Sequence, residues 1–172
     1  MLTGDAAAQK TVSFPTEDGG VIYADVYGEG DRGVVLAHGG RFNKQSWEKQ
    51  ARTLAAAEFR VLALDFRGYG ESRGPGQSDP MSAPLHLDVL AAVRYLRKMG
   101  VKSVSIVGGS MGGGAAGDAS IAWYYSARRR TARPTSSSHP PCSSWHATMQ
   151  ATMDHVCPRF TSNTRKPPDQ KI

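Results

Sequence analysis

Apolar residues fall along this chain in short blocks whose periodicity changes from block to block. Thr11 to Phe14 and Val21 to Tyr27 read as two strands, joined by a turn at Asp18-Gly19-Gly20. Gly33–Ala37 and Arg60–Phe66 are near-continuous apolar runs, the pattern of strands buried on both faces. Between them Trp47, Ala51, Leu54 and Ala55 recur at helical spacing, with Ser46 as the expected N-cap. A Gly/Pro/Ser-rich loop runs on to Met81. A second helix follows, with Ser82 near its start, Pro84 in the first turn and a stripe of Leu85, Val89, Ala92 and Leu96. Arg97 and Lys98 complement the helix dipole at its end, and Gly100 stands where a left-handed cap belongs. Ser103–Val107 is a fifth strand, apolar toward both faces and without a charged gatekeeper beyond Lys102. Strands alternating with helices predict a mostly parallel sheet with helices on each side, a three-layer α/β sandwich.

The fifth strand stops at Gly108-Gly109-Ser110-Met111-Gly112-Gly113-Gly114, where a helix begins. Gly108, Ser110 and Gly112 fit the G-x-S-x-G nucleophile elbow. In such a turn the serine backbone is strained, so the residues two positions away must lack side chains. The hydroxyl then stands clear of the sheet, at a helix N-terminus whose dipole and free N–H groups favour negative charge. The same letters also describe a glycine-rich turn with a bystander serine.

Two earlier turns narrow the choice. Val34-Val35-Leu36-Ala37 ends in His38-Gly39-Gly40, and Leu62-Ala63-Leu64 runs into Asp65-Phe66-Arg67-Gly68-Tyr69-Gly70-Glu71-Ser72. At these three places, in this order, the chain resembles the α/β-hydrolase superfamily over roughly residues 11–122. The resemblance implies a hydrolase with Ser110 as nucleophile, acting on a carboxylic ester or related acyl compound. It implies an oxyanion hole from the N–H groups of Gly40 and Met111, with Gly39, Gly108 and Gly112 shaping the loop and elbow. His38 is read as shaping the oxyanion turn rather than as general base, and Asp65 as positioning its loop. Arg41, Phe42 and Trp47 fit a pocket wall, an exposed loop or the core equally well. The family places its acid and then its histidine after the serine, and no residue here is assigned to either role.

Composition explains why. Residues 123–172 contain no Gly and no Leu, although all 19 glycines lie earlier, and they hold six of the ten prolines. Their eight basic residues face only Asp154 and Asp169, so this segment carries the whole net charge of +6. Such a segment buries too little apolar area to offset its ordering entropy. Residues 1–122 are therefore expected to be the N-terminal portion of a hydrolase domain, truncated after strand five. Residues 123–172 are expected to be a low-order basic tail. His139, His146, His155 and Asp154 lie in that tail, and Asp154 and His155 are neighbours that would not face each other on a helix or strand. The genetic code offers a cause. Taking the third base of each codon with the first two of the next, Trp123-Tyr124 must give Val and Met153-Asp154 must give Gly. Trp145-His146 and Met149-Gln150 must each give Ala. With permitted codons elsewhere, the shifted frame yields two strand-like apolar runs, the second ending in acidic residues. A frameshift near Ala122 is the preferred explanation.

Other classes fit less well. Gly112, Gly114 and Gly117 formally match the dinucleotide fingerprint, but inside the helix rather than before it. The arginine-rich tail would attract nucleic acid only through charge, without specificity. Cys142 and Cys157 have neither zinc spacing nor a disulfide framework, and no metal or cofactor is expected. No apolar run approaches membrane-spanning length, and Met1-Leu2-Thr3-Gly4-Asp5 lacks the features of a signal peptide, so a cytoplasmic location is expected. The expected partner is a small acyl substrate. Self-association through the edge of the fifth strand is a second expectation.

Overall fold

The computed structural model describes residues 9–80 and 82–131. Five strands form one sheet in the order β1-β2-β4-β3-β5. β1 (Lys10–Pro15) and β2 (Val21–Tyr27) are an antiparallel hairpin, and β2 also pairs antiparallel with β4 (Phe59–Leu64). β3 (Arg32–Ala37) lies parallel to β4 on one side and to β5 (Ser103–Gly108) on the other. The strands β4, β3 and β5 thus form a parallel half of the sheet with β5 at its edge, and the antiparallel hairpin extends the sheet on the other side.

Strand alternation sorts the core into two layers. Val34, Leu36, Val61 and Ala63 face α1 (Glu48–Ala56) and bury Ala51, with Trp47, Leu54 and Ala55 packed alongside. Val35, Ala37, Leu62 and Leu64 face the other way, onto the stripe of α2 (Leu85–Lys98) and onto Ala115 and Ala119 of α3 (Met111–Thr131). This is the three-layer α/β sandwich predicted from the sequence.

Local departures have local causes. A single 3-10 turn, Lys44–Trp47, precedes α1, and Ser46 lies inside it. The Ser46 hydroxyl donates back to the Asn43 carbonyl at 2.6 Å, so it does not cap the helix. Pro84 is the N-cap of α2 rather than a first-turn residue. Gly100 adopts φ +88°, as a left-handed helix terminator does. β5 is apolar toward α2 and α3 through Val104 and Ile106, which pack on the core. Ser105 and Val107 on its other face are exposed, Val107 by 43%. α3 continues through residue 122 to Thr131, and Trp123 packs partly buried against the core.

Candidate functional site

Ser110 sits between β5 and α3 with φ +51°, the left-handed region that costs a non-glycine residue energy. Its glycine neighbours are there for space. A Cβ on Gly108 would fall 2.2 Å from the Gly112 carbonyl oxygen, and one on Gly112 would fall 2.3 Å from that of Ala37. Both clashes are with backbone, so no side-chain rotation relieves them. The strand can turn into the helix this sharply only because both positions lack side chains. The result is an exposed serine at the first turn of a long helix.

The His38-Gly39-Gly40 turn lies against this elbow. A Cβ on Gly39 would lie 3.3 Å from the Gly109 carbonyl oxygen and 3.6 Å from Ser110 Cβ. One on Gly40 would lie 3.8 Å from both Met111 Sδ and the Tyr69 hydroxyl. Among the described residues, no acceptor takes the N–H of Gly40 or of Met111. The turn is tied from several sides. The Tyr69 hydroxyl donates to the Gly40 carbonyl at 2.7 Å, Phe42 N–H to the Gly39 carbonyl at 3.0 Å, and Lys44 N–H to Asp65 Oδ1 at 2.7 Å. Lys44 Nζ also reaches the buried carboxylate of Asp25 at 2.9 Å.

His38 is fully buried and fully occupied. Its Nδ1 lies 2.9 Å from the Gly39 carbonyl and its Nε2 accepts from Phe66 N–H at 3.2 Å, so these partners assign the proton to Nδ1. Burial pushes its pKa below the ordinary imidazole value, outweighing the Gly39 contact and the charge of Asp65. A neutral ring with both nitrogens engaged holds a turn. Asp65 likewise serves the loops: besides Lys44, its carbonyl accepts from the Ser72 hydroxyl at 2.8 Å, and Ser72 Oγ accepts from Tyr23 N–H at 2.9 Å. Of the three residues with open readings, Arg41 and Phe42 are exposed, Phe42 by 60%, and Trp47 packs on the α1 side of the sheet.

A cluster that the sequence did not reveal supports this loop. The Arg67 guanidinium is completely buried and bonds Asp88 of α2 at 2.6 Å and Asp18 of the β1–β2 turn at 2.5 Å. It also donates to the Pro75 carbonyl at 2.9 Å. The bonds from Arg67 hold the Asp18 carboxyl at a pKa of about 2, against the opposing effect of burial. Burial pushes the Asp88 carboxyl up, against the pull of the same guanidinium. The available signal was Asp88 itself, a carboxylate beside Leu85 and Val89 in an otherwise apolar stripe.

A cavity of about 310 Å³ opens beside Ser110, walled by Met111, Gly114, Ala115 and Asp118 of α3 and by Ala83, Leu85 and His86 opposite. Sequence reasoning passed over His86 and Asp118. The spacing of 111, 114, 115 and 118, one helical face, was the signal for the latter. His139, His146, Asp154 and His155 lie outside the described residues, as do both cysteines. Among the described residues no cluster of three or more His, Cys, Asp or Glu could hold a metal, and no helix is long and apolar enough to cross a membrane.

The family profile described as the alpha/beta hydrolase fold matches residues 33–151, which takes in both turns and the elbow. The chain belongs to this family. It is 40% identical over 82 residues to bifunctional epoxide hydrolase 2 of Sus scrofa, covering 46% of this chain and 14% of that protein. It is 36% identical over 96 residues to a putative non-heme chloroperoxidase of Synechocystis, covering 54% and 32%. Among solved structures, a Pyrococcus furiosus esterase superposes with a TM-score of 0.58 at 26% identity, over 64% of this chain and 46% of the esterase. An epoxide hydrolase from an endophytic Streptomyces gives 0.54 at 31% identity, over 68% and 34%. The chain therefore spans less than half the length of each of these relatives.

Proposed function

We propose that this alpha/beta hydrolase chain carries the nucleophilic half of a serine hydrolase acting on a carboxylic ester or related acyl substrate. The observation that carries the reading is Ser110 at φ +51° between two sterically obligatory glycines. In this reading Ser110 Oγ attacks the acyl carbon, and the carbonyl electron pair moves onto its oxygen. The N–H groups of Gly40 and Met111 receive that charge, and the N-terminus of α3 adds its dipole. A hydroxyl nucleophile facing backbone donors suits acyl transfer, where charge builds on a carbonyl oxygen, which favours esters over the epoxides named for several relatives.

The attack also needs a base for the serine proton. His38 is not available for it, since both ring nitrogens are engaged. That observation favours a second reading, in which the chain is a catalytically inactive fragment without the acid and histidine of a triad, and residues 123–172 are a mis-framed tail on a 1–122 body with a cytoplasmic site of action. Turnover of p-nitrophenyl acetate by the chain and by Ser110→Ala decides between them. Loss of triad partners costs about 10⁶-fold and leaves roughly 10³–10⁴ over water. Weak turnover that survives Ser110→Ala fits an elbow without its partners, since the residual comes from the oxyanion hole and binding alone. Robust turnover that depends on Ser110 means that a base is supplied and sinks the second reading. Turnover indifferent to Ser110→Ala sinks the first. The DNA sequence around codon 122 tests the frameshift directly.

A further inference from the structure

The cavity beside Ser110 has a floor that the fold does not require. Gly108 and Gly112 are glycines because a Cβ would strike backbone, but a Cβ on Gly114 meets nothing within 4 Å and the residue has no positive φ. Glycine inside a helix is otherwise unfavourable. Its effect here is to leave the cavity open along α3 between Met111 and Asp118. From Ser110 to Asp118 the helix rises about 12 Å; less about 3 Å for the attacking contact at one end and about 3 Å for an ion pair at the other, this leaves room for an extended chain of roughly six to seven atoms. Ala83, Leu85 and Ala115 give the cavity apolar walls; Asp118 is the lining residue of α3 furthest along the helix from Ser110, and His86 lines the cavity from α2. No Lys or Arg lines it among the described residues.

We infer that this cavity holds the acyl part of the substrate, running over Gly114, and that Asp118 selects acyl chains whose far end carries an ammonium group. The inference rests on Ser110 being the attacking group, which fixes where the acyl carbon sits. Asp118 is exposed, so its charge is partly screened and the expected preference is modest, about three- to five-fold in Kd.

The test uses the full chain carrying Ser110→Ala, so that neither ester turns over. Ligand-observed NMR titrations give Kd for ethyl 6-aminohexanoate and ethyl hexanoate. The expected result is three- to five-fold tighter binding of the amino ester, a ratio that falls to one in Asp118→Asn, and weaker binding of both esters when Gly114→Leu fills the floor. Equal affinities, a ratio that survives Asp118→Asn, or no binding of either ester overturns the inference. Should Gly114→Leu not fold, the Asp118→Asn ratio still decides. Failure of the hydrolase reading looks different: the unmodified chain binds with the stated preference and hydrolyses neither ester.

Discussion

Adding one methyl group at two positions of the same helix, three ångströms of rise apart, should move stability in opposite directions. At Gly112 the new Cβ would sit 2.3 Å from the Ala37 carbonyl oxygen and 2.7 Å from that of His38. The first distance is more than an ångström short of the 3.4 Å at which ordinary contact begins, and both opposing atoms are backbone. Relief requires α3 to lift from the end of β3, where the two-layer packing is tight. Overpacking of this kind costs about 2–4 kcal/mol. Against it stands the gain of alanine over glycine in a helix, about 0.5–1 kcal/mol. The net for Gly112→Ala is a loss of roughly 1–3 kcal/mol. At Gly114 the clash is absent and only the gain remains, so Gly114→Ala should stabilise by about 0.5–1 kcal/mol. Urea unfolding followed by far-ultraviolet circular dichroism measures both, with midpoints compared at equal slope. Shifts of the same sign for the two variants would refute the claim that the elbow glycine is held by sterics.

Acid should weaken the Arg67 cluster with a definite sign. The Asp18 carboxyl is held at about 2 in the folded chain, below its ordinary 3.8, so its contribution is present above pH 4 and disappears as pH falls toward 2. With Asp18 partly exposed this amounts to about 1–2 kcal/mol; Asp18→Asn should show that deficit at pH 5.5 and none near pH 2 in matched urea titrations. Removing the hydroxyl in Tyr69→Phe leaves the Gly40 carbonyl without its donor, and should cost about 1 kcal/mol of stability, with any ester turnover falling in kcat rather than rising in KM. The β5 edge, with Val107 43% exposed, should make the chain elute large in size-exclusion chromatography, and Val107→Lys should shift it toward the monomer; a monomeric unmodified chain would contradict this.

What the sequence made legible follows from where local rules dominate. β2 runs from Val21 to Tyr27 as expected, and Gly100 turns left-handed as expected, because alternation and helix termination are local. The elbow was legible because its geometry demands glycines two residues either side of one serine. Ser46 does not cap α1 because a serine bonds backward as readily as forward, and here it bonds the Asn43 carbonyl inside a tight 3-10 turn. The run of α3 past residue 122 was hidden by a tail composition that argues against folding, while Trp123 gains a place on the core. Asp88 was hidden for a different reason. A lone carboxylate in an apolar stripe says that a cation must meet it, but not that the cation is Arg67, 21 residues earlier.

The buried guanidinium of Arg67 has a kinetic consequence. It grips the β1–β2 turn through Asp18, its own loop through Pro75 and α2 through Asp88. An edge hairpin ordinarily opens on its own, and its amides exchange with solvent long before the rest of a sheet does. Here the turn of that hairpin cannot leave without uncovering a charge that is wholly out of water, so its fraying is coupled to the opening of α2. The amides of β1 and β2 should therefore exchange together with those of α2, as one cooperative unit, and the edge furthest from Ser110 should report on the integrity of the loops beside it.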